Sequence, residues 1–392
     1  MIMTKKIDRR SWLRSTALVT SSFALTPSLK AFAMHEASAA PNFKAWDWER
    51  SYAARPDITK LKARLLANEN PYGPSDKVRL AIMESAGIGN RYGHTAAAKL
   101  IDMIAEKEGV TPEHIMLGPG STDMLEKTAI THFIDGGNIV SADPAYMSLI
   151  KTAMAFKAEW KSVPLTKEWA HDLPAMEAAV DKDTKLVYVC NPNNPTGSIT
   201  ESKALWSFCE KVADKAPIFV DEAYLEFLDK PESASMVGLV KKGKNVIIAR
   251  TFSKIHAMAG LRVGYIVGLP ETLEKISSMV RGNMGMSITS LKGAMASMED
   301  LKFQENSQKW NKETREYVCE ELKKLGFEPV PSYTSFVLFQ IEMEGKPFLE
   351  KMFGKGVGVR AFEVFDKPYC RVSMGKMNEM KLFVETLKQV LV

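Results

Sequence analysis

Apolar positions in this chain come in short runs, and each run ends in polar punctuation. Residues 115–117, 139–142, 186–190, 218–220 and 245–249 are rich in Ile, Val and Leu, too short for helices, and bounded by turn residues. Each predicts a buried strand. Between and around them, residues 77–85, 96–108 and 124–133 carry apolar positions at helical spacing. Strand, polar turn and helix, repeated several times, predict an α/β fold on an open, mostly parallel sheet, in which ligands sit at the carboxyl ends of the strands. Beyond about residue 290 a long charged amphipathic helix (301–325) and a strand-like stretch (335–341) predict a smaller α/β unit. At 392 residues the chain has the length for two domains.

The residues at the strand ends are the candidate chemistry. After 115–117 comes Gly118-Pro119-Gly120-Ser121-Thr122. Glycines and hydroxyls opening a helix turn backbone N–H groups towards an anion, which makes Gly120, Ser121 and Thr122 candidates, with Ser121 as a plain N-cap the alternative. The run 139–142 ends in Asp143-Pro144-Ala145-Tyr146, where the tyrosine either stacks on a ligand or fills the core. The run 186–190 enters Asn191-Pro192-Asn193-Asn194-Pro195-Thr196-Gly197, a sharp turn that exposes its amides. The run 218–220 ends in Asp221-Glu222-Ala223-Tyr224; a carboxylate there is costly unless paired. Finally, 245–249 leads into Arg250-Thr251-Phe252-Ser253-Lys254, with Arg262 eight residues on. A lysine in such a place forms a Schiff base with a carbonyl cofactor. The Thr251 and Ser253 hydroxyls and the Arg262 fork suit a phosphate. One aldehyde and one phosphate together fit pyridoxal 5′-phosphate (PLP).

The run from Ser253-Lys254 to Ala259-Gly260-Leu261-Arg262-Val263-Gly264, with the N-P-N-N-P-T-G heptapeptide before it, resembles the class I and II aminotransferases, which are fold-type I PLP enzymes. Within them it is most similar to the histidinol-phosphate aminotransferase group, over about residues 66 to 375. That resemblance implies a large domain over 76–285 with a mostly parallel, seven-stranded sheet. It implies a small α/β domain over 286–392, which an N-terminal arm (34–75) joins. It implies that Lys254 carries PLP and that Gly120, Ser121 and Thr122 bind its phosphate. Tyr146 would stack on the ring, Asn194 and Tyr224 bond the phenolic oxygen, and Asp221 hold the ring nitrogen. Arg371, in the run Tyr369-Cys370-Arg371-Val372-Ser373-Met374-Gly375, would fork onto the substrate carboxylate, and Arg360 would help with a substrate phosphate. Asn70 and Tyr72 lie in Asn68-Glu69-Asn70-Pro71-Tyr72-Gly73-Pro74, similar to a loop that closes over substrate. Tyr92 would reach the cofactor phosphate of a neighbouring subunit, which implies a homodimer; Gly93 stands where the family usually has proline.

The implied reaction is amino transfer between an amino acid, or an amino-alcohol phosphate, and a 2-oxo acid. Lys254 holds PLP and then moves the proton from Cα. Decarboxylases, racemases and β-lyases share much of such a site and remain the alternative, although Arg371 would hold a carboxylate rather than expel it. A non-catalytic PLP-fold module of a transcription regulator is a further reading; it would need a DNA-binding domain ahead of the fold, where the chain has a short arm.

The N-terminus changes the picture of location. Arg9-Arg10 precede Trp12-Leu13, a modest apolar stretch spans 17–25, and Ala31-Phe32-Ala33 has the form of a cleavage site. Residues 1–33 thus resemble a twin-arginine (Tat) export signal, which predicts a periplasmic enzyme, or a cytoplasmic one if the signal is not used. The apolar stretch is far short of the ~20 residues of a membrane span, so contact with a membrane is expected only through export. The same segment carries six basic residues and one acidic residue, an excess that accounts for the whole net charge of +5. Charge therefore offers no argument for a nucleic-acid partner. The four cysteines have no CxxC or metal spacing and read as buried thiols, and no metal is expected.

Overall fold

The computed structural model describes residues 58–391. The export-signal segment 1–33, and the arm as far as residue 57 with Trp46, Trp48 and Tyr52, lie outside the described residues. In chain order the strands are β1 (Ala63–Arg64), β2 (Ile115–Gly118), β3 (Asn138–Asp143), β4 (Glu159–Pro164), β5 (Thr184–Cys190) and β6 (Ile218–Asp221). They continue with β7 (Val246–Thr251), β8 (Gly264–Val267), β9 (Phe336–Gln340), β10 (Val357–Gly358), β11 (Arg360–Val364) and β12 (Lys367–Ser373). Seven of them form one sheet in the order β2-β8-β7-β6-β5-β3-β4. Only β8 runs against its neighbours; the other pairs are parallel.

The central strands are apolar throughout because both faces of the sheet are covered. Val187, Val189, Ile218, Val220, Val246 and Ile248 point into one core layer, against Leu205, Phe208 and Val212 of the helix Ser202–Val212. Their alternates Leu186, Tyr188, Phe219 and Ile247 point into the other, against Met124, Leu125 and Phe133 of the helix Ser121–Phe133 and Leu149 and Ile150 of the helix Ser148–Ala155. The five expected strands are present, and several extend one or two residues further, through Asp143, Asp221 and Thr251. Polar strand-end residues keep their backbone pairing: Cys190 pairs with Asp221, Asp221 with Ala249, and Thr251 with Gly264. That register lines up the ends of β5, β6 and β7 in one row.

A second layer holds the three-stranded antiparallel sheet β11-β12-β9 with the helices Leu301–Lys324, Gly345–Gly354 and Met377–Val390. The start of the described chain joins it: β1 pairs in parallel with β10, and Ala63 and Leu65 lie in the core of this unit. The helix Ile288–Met298 follows residue 285, yet its Leu291, Ala294 and Met295 pack in the core of the large sheet. In packing terms the large unit therefore runs past 285.

Candidate active site

A cavity of about 800 Å3 opens at the carboxyl ends of the parallel strands. Its first wall is the turn after β2. Gly120 has φ +87°, and it caps the helix Ser121–Phe133 without any side-chain capping bond. Ser121 is thus the first helical residue and not the N-cap. The free amides of this first turn, with the dipole behind them, face the cavity that Ser121 and Thr122 line. Gly264 at the start of β8 lets the turn pass: a Cβ there would overlap the backbone of Gly120 and Ser121. Gly264→Ala should cost about 1–3 kcal/mol in denaturant unfolding and weaken cofactor retention, since the backbone it meets cannot swing aside.

Arg262 completes this end of the cavity. It has φ +53°, and its guanidinium donates to the carbonyls of Ala259 (3.0 Å) and Pro119 (3.1 Å) and lies 3.4 Å from Ser253 Oγ. Thr251 and Ser253 are buried and line the same cavity. The structure therefore brings Ser121, Thr122, Thr251, Ser253 and Arg262 together, as a pole for one anion.

Deeper in, Asp221 ends β6 and is buried. Its carboxylate accepts from the Ala223 amide (3.2 Å) and, at 3.4 Å, from Tyr188 Oη. Burial pushes its pKa up to about 6, against the opposing pull of the Ala223 amide, Lys254 and Tyr188. No cation touches it among the described residues. A protonated ring nitrogen supplies what this carboxylate lacks. Tyr146 lines the cavity, with its hydroxyl 3.3 Å from Thr122 Oγ1.

Lys254 stands between these groups. Its Nζ donates to the Asn68 carbonyl at 2.9 Å and lies 5.2 Å from the centre of the Tyr224 ring. Desolvation first, and the positive Arg371 second, lower its pKa to about 8, against the pull of Asp221 and Glu69. Arg371, on β12, is buried with its guanidinium between the rings of Phe336 (5.1 Å) and Phe362 (5.0 Å). Nη1 donates to Asn194 Oδ1 at 2.6 Å, whereas the buried Nε has no hydrogen-bond partner among the described residues. Desolvation, then repulsion from Arg360, lowers its pKa to about 10. Arg360 lines the same wall from β11.

Two of the expected substrate residues lie outside the main cavity within one subunit. Asn70 does not reach the cavity: its amide is spent on the Ile255 carbonyl (3.2 Å) and Ser307 Oγ (2.9 Å). Tyr72 stacks on Trp310 (centroids 4.1 Å apart), and both residues line a smaller pocket next door. The Asn-Glu-Asn loop touches the cavity through Asn68 and Glu69 instead. Asn68 is the residue that the sequence reading missed. Its Nδ2 donates to Tyr224 Oη (2.8 Å), its Oδ1 accepts from Ser373 Oγ (2.6 Å), and its carbonyl holds Lys254. Tyr92 is 85% exposed and is not part of the cavity of its own subunit.

Other polar residues near the lysine are structural. Glu222 receives Arg250 Nε at 2.9 Å and the Met236 amide at 2.7 Å, in a buried ionic cluster behind the site. His256 packs on Phe252 with its Nδ1 2.7 Å from Ser297 Oγ, and burial lowers its pKa to about 3. Cys190, Cys209 and Cys370 are buried and Cys319 is partly so; all are free thiols.

A lysine, a buried aspartate and a helix-capping anion turn at the carboxyl ends of a mostly parallel seven-stranded sheet define a fold-type I PLP-dependent transferase. The family described as Aminotransferase class I and II matches residues 61–387. A histidinol-phosphate aminotransferase from Moorella thermoacetica is 33% identical over 330 residues, which cover 84% of this chain and 85% of that protein. Histidinol-phosphate aminotransferase 2 from Haemophilus influenzae is 34% identical over 84% of this chain and 89% of its own length. The crystal structure of histidinol-phosphate aminotransferase from Sinorhizobium meliloti in complex with pyridoxal-5′-phosphate superposes with a TM-score of 0.80 at 25% identity, covering 95% of this chain and 99% of that one. The chain belongs to the class I and II aminotransferases, and its activity is PLP-dependent amino transfer.

Proposed function

We propose a division of labour among the residues that meet in the cavity. The placing of Lys254, Asp221 and Arg371 around one cavity is the observation that carries this reading, and burial, which lowers the lysine pKa to about 8, agrees with it. The residues fit the cofactor: the Ser121–Thr122 turn with Thr251, Ser253 and Arg262 takes the phosphate, with Gly120 setting the turn. Asp221 takes the ring nitrogen, Asn194 and Tyr224 the phenolic oxygen, and Tyr146 a ring face. When bound, PLP supplies the electron-withdrawing ring that accepts the electron pair of the broken bond to Cα. Lys254 Nζ takes the proton from the substrate Cα, and a pKa near the working pH suits both taking and returning it. The Asn68 carbonyl and Tyr224 orient that nitrogen. Arg371 forks onto the substrate carboxylate with the Nε that has no hydrogen-bond partner among the described residues, which fixes Cα and keeps the carboxylate in place while the hydrogen leaves.

Arg371→Ala should therefore raise KM for the amino donor and lower kcat/KM by about 100-fold or more, with Arg371→Lys recovering little, because the lysine has no fork. Steady-state kinetics with a panel of amino acids and histidinol phosphate reads this directly; an unchanged KM would remove Arg371 from substrate binding. The donor is an amino acid or an amino-alcohol phosphate. The names of the relatives and the place of Arg360 in the cavity wall support an anionic one.

The enzyme acts as a homodimer in which Tyr92 completes the neighbouring site. Tyr92, Met83 (72% exposed) and Leu80 (55% exposed) support this as apolar surface in want of a partner. Sedimentation of the purified protein tests it. Residues 1–33 direct export, a reading that rests on Arg9-Arg10 and Ala31-Phe32-Ala33. Loss of periplasmic enzyme in Arg9→Lys/Arg10→Lys is its test.

A further inference from the structure

The small pocket next to the main cavity shares two of its walls, Lys254 and Glu69. It is built where the Asn-Glu-Asn-Pro loop crosses the helix Leu301–Lys324 and the start of β9. Tyr72, Trp310, Phe227 and Met374 give it an apolar shell. Inside that shell are hydroxyls. Ser335 is 5% exposed, lines the pocket, and its Oγ has no hydrogen-bond partner among the described residues. Thr314 Oγ1 donates to the Trp310 carbonyl at 2.9 Å, which leaves its lone pairs for an incoming donor. Ser307 Oγ accepts from Asn70 Nδ2 at 2.9 Å and keeps its own hydrogen to give.

A buried hydroxyl without a partner is costly, so a ligand that satisfies it is favoured. The pocket leaves about 20 Å3. A water needs roughly 10–15 Å3 on that measure and two to four polar partners, so the space suits one water and nothing larger. Amino transfer consumes water: each half-reaction that releases a 2-oxo acid uses one molecule. Its oxygen becomes the keto oxygen on the former Cα, the carbon–nitrogen bond breaks, and both water hydrogens end on the departing nitrogen. No oxidant or reductant is involved.

We propose that this pocket binds a single water on the Ser335 hydroxyl and delivers it past Lys254 to the reacting carbon, so that Ser335 positions the water for product release. The inference rests on the aminotransferase reading and adds to it a source for the hydrolytic water. Lys254 borders both cavities, so a water that leaves this pocket for the reaction passes the residue whose amine can take its proton.

Two measurements test this. A high-resolution crystal structure of the PLP-bound enzyme should show one ordered water within hydrogen-bond distance of Ser335 Oγ; a dry pocket would overturn the proposal. Single-turnover kinetics then separates two steps in Ser335→Ala and Ser335→Thr. Exchange of the Cα hydrogen of an amino donor with solvent should stay within about twofold of the unmodified enzyme in both variants. Release of the 2-oxo acid should slow by about tenfold in Ser335→Ala and recover in Ser335→Thr. Equal slowing of both steps, or unchanged release in Ser335→Ala, would show a merely structural serine and end the proposal. Failure of the unmodified enzyme to release any 2-oxo acid would instead count against amino transfer, while the crystallographic result would still decide the water site.

Discussion

Replacing Lys254 by alanine should lower turnover by roughly 10⁴-fold or more, because the variant loses both the amine that holds the cofactor and the base that moves the Cα proton. Lys254→Arg should be as inactive. Its guanidinium keeps a positive charge opposite Asp221 and Glu69 but stays protonated at every accessible pH, so it neither takes a proton nor attacks an aldehyde. The pair of variants thus separates charge from proton transfer. The fold should survive: among the described residues the lysine side chain makes one hydrogen bond, to the Asn68 carbonyl, and burial already disfavours its charge. Unfolding of the cofactor-free variant near the unmodified midpoint, together with rapid loss of PLP on gel filtration, would separate a lost function from a lost structure. Turnover within tenfold of the unmodified enzyme would remove Lys254 from the chemistry.

Asp221→Ala should cost about 10³-fold in kcat with a smaller change in KM, since a carboxylate that keeps the ring nitrogen protonated acts most strongly on the charge that develops after the Cα–H bond breaks. The same residue gives a sign-specific pH effect in the cofactor-free protein. Burial holds Asp221 protonated up to about pH 6 in the fold, whereas the unfolded chain releases that proton near 3.9. The folded state therefore binds more protons between those values. The associated stability is fully present below about pH 4 and is lost as pH rises through 6, a change on the order of 3 kcal/mol. Denaturant unfolding of cofactor-free protein across pH 4 to 7 should show this decline, and Asp221→Asn should flatten it. Bound PLP should also flatten it, because a protonated ring nitrogen favours the ionised carboxylate. A decline that persists unchanged in Asp221→Asn would place its origin elsewhere.

Much of this architecture is legible in the chain because parallel strands covered on both faces must be apolar throughout. The blocks that became β5, β6 and β7 stand out against charged helices, and polar residues directly after them mark the site. Two strands gave no such signal. β4 lies at the sheet edge, where Glu159, Ser162 and Pro164 are exposed and only Val163 is buried. β8 is a four-residue strand after a loop with one glycine, Gly260, and its role beside the anion turn depends on Gly264 meeting backbone from far away in sequence. The part Asn68 plays in the Asn-Glu-Asn loop was hidden for a similar reason. Proline made Asn70 conspicuous, yet its amide closes the loop against Ser307, and Asn68 became the hub through Tyr224 and Ser373, partners more than 150 residues away. Spacing does not encode such contacts. The signal that was available was the repeated asparagine itself, with one copy on each side of a glutamate.

The packing of Ile288–Met298 shows the same limit. Its sequence follows the last motif of the cofactor segment and looks like the start of a new unit, but its apolar face fits the helices Asp76–Ala86 and His94–Glu108 and completes the core of the large sheet. A helix can close the core it precedes as readily as one it follows, and only the complementary face decides.

The most direct measurement is the absorption spectrum of the purified enzyme supplied with PLP, before and after an amino donor, alongside Lys254→Ala. The account predicts a visible band from lysine-bound cofactor, absent in the variant. The donor should convert that band to the shorter-wavelength amine form, with one equivalent of 2-oxo acid released per site and neither carbon dioxide nor ammonia. A band of equal intensity in Lys254→Ala, or a donor that perturbs the band without releasing a 2-oxo acid, would contradict it.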